Sequence, residues 1–210
     1  MDIIYCFWTG TNEMSQNRKV SIEQLIHTSE CKVILVTMEN LHEYILPENP
    51  IHPSYEFLSE THKADYLRTY FMNFYGGGYS DIKKTTGSWK KAFTDLKNSD
   101  TYWICGYPEV CGGVAYSGGD WKELIGNCAY ISKPNTPLTN EWYSEMITLL
   151  DKKLPELRLN PSKFPQDCKE VSNYPIEWNE MLGRIFHKVA DKYKHHLLRT
   201  LPISIFNNYK

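Results

Sequence analysis

This 210-residue sequence predicts an α/β fold, with a central, mostly parallel mixed sheet flanked by helices, as one domain spanning residues 1–210. Three observations carry that prediction. Ile3 to Trp8 form an almost unbroken apolar run, as in a strand buried on both faces. Helix-period and strand-like segments then alternate along the first half, which is the order of a parallel sheet with right-handed crossovers. Finally, a long aromatic-rich helix pattern ends at a glycine turn that feeds another short strand.

In order, the strand at residues 3–8 is followed by a helical pattern on Val20, Ile22, Leu25 and Ile26. A second apolar strand follows at Val33, Ile34, Leu35 and Val36, then a short helix with Leu41, Tyr44 and Ile45. Residues 55–58 are expected to be a strand. Leu67, Phe71 and Phe74 recur at helical spacing, with Ala64 and Tyr75 on the same face and Ser59 or Thr61 placed to cap the helix. Residues 102–105 are expected as another strand and residues 111–116 as part of a hairpin. Thr136 with Pro137 marks a helix start, and Trp142, Met146, Leu149 and Leu150 give it an apolar face. The Pro-rich stretch 154–175 is expected to be an extended surface loop. In such sheets ligands bind beyond the carboxyl ends of the strands, which places Thr9, Gly10 and Asp81 at the predicted site.

Bulk composition narrows the function. Charged residues are 23 % and the hydrophobic set 41 %, ordinary for a globular domain. A formal net charge of −2 gives no electrostatic reason to expect nucleic acid. No apolar run is long enough to span a bilayer, and the amino terminus lacks the basic region of a signal peptide. Six cysteines without CxxC spacing read as reduced thiols in a cytoplasmic compartment.

The most informative stretch is Tyr75-Gly76-Gly77-Gly78-Tyr79-Ser80-Asp81-Ile82-Lys83. Glycines turn the backbone sharply and leave room beside it, here read as room for a phosphorylated ligand. A carboxylate just past the next strand is a position from which a divalent cation is held against phosphate oxygens. Upstream, Asp65 and Arg68 stand three apart on the helix and project together. That spacing fits an intrahelical ion pair on the surface and equally a carboxylate–guanidinium grip on a ligand.

The sequence Lys63-Ala64-Asp65-Tyr66-Leu67-Arg68, followed by the glycine turn and Ser80-Asp81-Ile82-Lys83, resembles the DXD-containing sugar-binding region of capsular-polysaccharide-type glycosyltransferases. That group includes the family 32 sugar transferases and, more distantly, the clostridial glucosylating toxins. Gly126-Asn127-Cys128-Ala129-Tyr130-Ile131-Ser132-Lys133-Pro134-Asn135-Thr136-Pro137 is similar to a later strand-and-turn segment of bacterial and algal-virus members. Trp178-Asn179-Glu180-Met181-Leu182-Gly183-Arg184-Ile185-Phe186-His187-Lys188 is similar to their carboxy-terminal element. With Tyr5-Cys6-Phe7-Trp8-Thr9-Gly10, the resemblance covers most of the chain, and algal-virus enzymes that glycosylate capsid protein are the nearest group.

The resemblance implies a GT-A-like domain moving a hexose or 6-deoxyhexose from a nucleotide-sugar donor, with UDP favoured, to a glycan or glycoprotein acceptor, and with retention. If the protein is viral, its place is the host-cell cytoplasm. Asp65 and Arg68 would contact the donor sugar. Asp81 and His187 would hold Mn2+ or Mg2+ on the diphosphate, and Gly78, Tyr79 and Lys83 would lie along the donor. Lys83 occupies the position of the second DXD carboxylate, and a lysine there neutralises diphosphate directly as a point charge.

Trp8, next to Thr9 and Gly10, is the candidate for the base end of the nucleotide, against a core role as the alternative. Tyr79 is read as a donor contact or a packing residue. On one straight helix His187 faces away from Trp178, Met181, Leu182 and Ile185, whereas a helix break at Gly183 turns it inward. His195 and His196 read as surface residues. Trp89 and the segment 117–121 are placed at an acceptor site by position alone. No residue singles itself out as nucleophile or catalytic base. The alternatives are a non-catalytic nucleotide- or sugar-binding module of the same fold, and a nucleotidyltransferase.

Overall fold

A computed structural model describes residues 2–209. Six strands form one sheet in the order β2-β1-β3-β5-β4-β6. They are β1 Ile3–Trp8, β2 Lys32–Thr37, β3 Gly77–Ser80, β4 Ile104–Pro108, β5 Ile125–Ser132 and β6 Leu197–Leu198. Pairings β1–β2, β1–β3 and β4–β6 are parallel, and only β5 runs against its neighbours β3 and β4. The expected α/β architecture with a mostly parallel sheet is therefore the observed one.

The helices are α1 Gln16–Ser29, α2 Glu60–Phe74, α3 Lys90–Lys97, α4 Pro137–Leu159 and α5 Gly183–Lys192. Alternation along β1 sorts the core into two layers. Tyr5 and Phe7 join the cluster built from Leu67 and Phe71 of α2, Trp142 and Met146 of α4 and Phe186 of α5. Ile4 and Cys6 join the cluster of Leu25 from α1 and Ala92, Phe93 and Leu96 from α3. The sheet is thus sandwiched between helices, and β1 is buried on both faces as its apolar run requires.

Helix α2 starts at Ser59, whose hydroxyl accepts from the His62 N–H, which resolves the choice between Ser59 and Thr61. The predicted start at Thr136–Pro137 is a full capping box with Thr139.

Other expectations are corrected. Tyr55–Phe57 form a 3-10 turn rather than a strand, because the Tyr55 ring packs edge-on against Tyr66 of α2. Leu41–Tyr44 is likewise a 3-10 turn. Residues 111–116 make turns with no strand pairing, so there is no hairpin there. The predicted 154–175 loop begins late, since α4 continues through Pro155 to Leu159. Leu150 and Leu157, both fully buried and one heptad apart on the same face, hold the helix across a residue that costs about 3 kcal/mol in a helix interior. Among the described residues, no helix is long and apolar enough to cross a membrane.

Candidate functional site

The carboxyl edge of the sheet opens into a cleft of ≈ 820 Å³. Its floor is the ends of β1 (Trp8, Thr9, Gly10) and β3 (Ser80, Asp81, Ile82). Because β5 is antiparallel, its beginning lies at this same edge and contributes Asn127 and Cys128. One wall is the face of α2 carrying Glu60, Thr61, Ala64, Asp65 and Arg68, the i, i+4, i+8 register of a helix. Segments 164–166 and 178–183 and the Tyr209 side chain close the rest.

Arg68 is the hub of the cleft. Its Nη2 lies 3.2 Å from Asp65 Oδ1 and 3.2 Å from Asp81 Oδ1. Its Nη1 donates to the Asn127 carbonyl at 2.8 Å, and the guanidinium sits 4.3 Å from the Tyr79 ring centroid. The ion-pair spacing on α2 is therefore not a solvated surface pair. Asp65 and Arg68 are 4 % and 6 % exposed, and the pair is tied to a second carboxylate from the sheet. Asp81 Oδ1 also accepts from Tyr79 Oη at 2.5 Å, while its Oδ2 meets Lys83 Nζ at 2.6 Å. Lys83 Nζ reaches Cys128 Sγ at 3.3 Å.

The two carboxylates titrate in opposite directions. Burial pushes Asp65 up to about 6, against the pull of Arg68 and with the Asp81 charge adding to the rise. For Asp81, burial acts upward too. The charges of Lys83 and Arg68 and the hydrogen bonds from Lys83 and Tyr79 outweigh it and hold the group well below the usual carboxylate range. Burial acts downward on Lys83 but is likewise outweighed, chiefly by Asp81, so the ammonium stays charged. Among the described residues, Asn127 Oδ1 and Glu60 Oε2 at this cleft are buried without a hydrogen-bond partner.

The structure brings together Trp8, Thr9, Gly10, Asp65, Arg68, Tyr79, Asp81 and Lys83, all lining one cleft. Trp8 is only partly buried and its indole N–H donates to the Asn12 carbonyl at 2.9 Å. Thr9 accepts from Tyr55 Oη at 3.4 Å. Tyr79 serves as packing and as a positioner together, since it stacks on Phe7 with centroids 5.6 Å apart while holding Asp81.

Two predicted site residues lie elsewhere. Gly78 sits in the sheet, where a Cβ would stand 3.1 Å from both Ile4 Cγ1 and Trp89 Cζ3. It is glycine for packing and does not line the cleft. His187 is fully buried in α5. Its Nδ1 accepts from the Ala115 N–H at 3.1 Å, and its Nε2 faces Glu109 Oε2 at 3.3 Å. The helix does begin at Gly183 and does turn His187 inward, but it turns it into protein. His187 has no exposed surface and does not line the cleft, so it is not in position to meet a diphosphate or a metal there. Trp89, fully buried with its indole N–H on Thr85, is a core residue and borders no acceptor site. His196 stacks on Trp103 with centroids 3.6 Å apart, a half-buried packing role.

A divalent cation at Asp81 does not fit this donor set. Mn2+ or Mg2+ on a diphosphate takes one or two carboxylates free to ligate it, with phosphate and water completing the shell. Both Asp81 oxygens are already held by cations, Arg68 on one and Lys83 on the other. A dication placed there would meet two like charges at close range.

Sequence reasoning missed Arg18 and Tyr209 and gave Asn127 no role. Arg18 follows the Ser15 cap of α1 and lies over the Trp8 ring at 5.4 Å. A cap–x–x–Arg pattern just after the first strand was its available signal. Tyr209 reaches the cleft only through the tertiary path of the final segment, which pairs with residues 84–86.

Residues 1–110, a little over half the chain, match the family model described as "Capsular polysaccharide synthesis protein". That span holds β1, α2, β3 and the Asp65–Arg68–Asp81–Lys83 cluster. Among solved structures the chain is similar to one titled "PaToxG Glycosyltransferase", with a TM-score of 0.51 and 14 % identity, covering 91 % of this chain and 69 % of that one. Identity that low makes the likeness one of fold. No curated protein matches the sequence.

Proposed function

From the premise that this chain belongs to the capsular polysaccharide synthesis protein family, we propose that it is a glycosyltransferase using a nucleotide-sugar donor. The observation that carries the reading is the Asp65–Arg68–Asp81 linkage at the carboxyl edge of the sheet, inside a cleft of ≈ 820 Å³. A cleft of this size suits a nucleotide sugar. The glycosyltransferase fold of a solved neighbour supports the same reading.

In this reading the donor lies across the ends of β1 and β3 in a GT-A-like arrangement. Trp8 offers a face for the base, and Thr9 and Gly10 leave the backbone open beside it. Asp65 accepts from sugar hydroxyls, and the unpartnered Asn127 Oδ1 accepts another. Arg68, tied to Asp65, Asp81 and the Asn127 carbonyl, fixes Asp65 in place for those hydroxyls. Holding the sugar on buried, mutually braced groups sets its anomeric carbon toward an acceptor hydroxyl and lowers the entropic part of the barrier. Cations around the diphosphate offset the charge that develops as the nucleoside diphosphate departs. The donor is a UDP-hexose or UDP-6-deoxyhexose, the acceptor a glycan or glycoprotein, and the configuration is retained. Six free cysteines, four of them buried, support a reducing, cytoplasmic setting.

The test is incubation with UDP- and GDP-linked hexoses and 6-deoxyhexoses, reading release of nucleoside diphosphate. UDP release that disappears in Asp81→Asn supports the proposal. Saturable binding of the same donors without release supports instead a binding module, the reading favoured by the full commitment of Asp81 to Tyr79, Arg68 and Lys83. Release of pyrophosphate would identify a nucleotidyltransferase.

A further inference from the structure

The cations of the cleft are unevenly matched. Four carboxylates line it, and each is already in an ion pair. Glu13 is with Lys19, Glu60 with Lys63, Asp65 with Arg68, and Asp81 with Arg68 and Lys83. Three cations line it, and among the described residues Arg18 has no carboxylate partner. Arg18 instead lies between two aromatic rings, 5.4 Å from the Trp8 centroid and 5.6 Å from the Tyr209 centroid. Lys83 Nζ lies 4.6 Å from that same Tyr209 ring. Tyr209 therefore has a guanidinium and an ammonium against it, both lining the cleft that Asp81 also lines. A ring quadrupole stabilises a cation without neutralising it, so the charge of Arg18 stays available to a ligand, while Lys83 brings a second positive group that Asp81 holds in place.

We propose that the donor diphosphate is bound by Arg18 and Lys83 on either side of Tyr209, without a divalent metal. This rests on the nucleotide-sugar reading above and specifies how its diphosphate is held. Two organic cations, one of them a planar fork suited to phosphate oxygens, supply the charge a metal would otherwise bring. Lys83 stands two residues after Asp81, so the side chain that would have completed a paired carboxylate site instead brings positive charge. Arg68 is left to brace Asp65 and Asp81 against the sugar.

The experiment is calorimetric titration of UDP, GDP and inorganic pyrophosphate, each in EDTA and in Mn2+, on the wild-type chain, Arg18→Gln and Lys83→Met. The expected result is binding of UDP or GDP in EDTA, changed less than about three-fold by Mn2+. Arg18→Gln is expected to weaken it about ten-fold. That variant removes no ion pair among the described residues, and with its fold checked by circular dichroism its loss reads on the ligand alone even if Lys83→Met fails to fold. Binding that appears only with Mn2+ and is indifferent to Arg18→Gln overturns the inference and leaves the glycosyltransferase reading standing. No binding of any nucleotide, with or without metal, overturns both.

Discussion

At the amino end of β3 the chain turns through Gly76 and Gly77 with φ of 64° and 81°, and at its carboxyl end Ser80 leads into Asp81 and Lys83. These ends belong to one short sequence motif, yet they are separated by the length of the strand, roughly 13 Å. The glycine end has no part in the cleft. A Cβ on Gly76 would stand 2.6 Å from Pro134 Cδ and 2.8 Å from the Ser132 carbonyl, so its glycine is demanded by the turn into β3 beside the end of β5. The space left by the glycines, expected to admit a phosphorylated ligand, is occupied by protein. All the chemistry of the motif sits at its other end, where a carboxylate meets two cations. A contiguous sequence block need not act as one unit; the strand inside it separates the turn from the charged cluster.

That contrast is open to direct attack. The largest effect is expected at the carboxyl end, where Asp81→Asn should lower turnover of the donor by about 10²–10³-fold, compared per folded molecule. Turnover undiminished at equal folded fraction would remove Asp81 from the site. At the amino end Gly76→Ala should cost about 2–4 kcal/mol of stability through backbone strain and crowding, read by denaturant unfolding. Turnover per folded molecule should not change. A third variant tests the correction at α5, since His187→Ala should cost about 2 kcal/mol by emptying a fully buried side-chain position and removing the acceptor of the partly buried Ala115 N–H. UDP affinity should be unaltered, and a loss of affinity would return His187 to the ligand.

The smallest effect separates Asp65 from Asp81 by pH. Because burial raises Asp65 to about 6 from an ordinary 3.8, the folded protein holds that proton where the unfolded chain has released it. Its contribution to stability is therefore full below pH 3.8 and lost as pH rises through about 6. Asp81 has the opposite sign, contributing above the ordinary carboxylate range and losing that contribution only on strong acidification. Asp65→Asn should flatten the decline in stability between pH 4 and 6 and abolish any fall in donor turnover below about pH 6. An unchanged pH profile would mean that another group titrates there.

Much of the fold was legible because its signals are local. A doubly buried strand must be apolar throughout, which marked β1. Apolar residues on one face of a helix must recur at its period, which marked α2, and a hydroxyl before a proline marked the start of α4. The elements missed, the 3-10 turn at residues 55–57 and the continuation of α4 past Pro155, are decided by what the segment packs against. Tyr66 supplies that surface for Tyr55, and the burial of Leu157 outweighs the proline.

The sequence by itself determined the sheet order's raw material, the position of Asp81 at a strand's end, and the helical step that lets Asp65 and Arg68 project together. Tertiary structure alone decided the rest. It tied Arg68 to Asp81 across two elements, carried Tyr209 back from the far end of the chain to lie against Lys83 and Arg18, and turned His187 away from the cleft. The physical reason is one of range. Propensity and periodicity act over a few neighbours, whereas a charge network forms between groups whose separation in space has no counterpart in their separation along the chain.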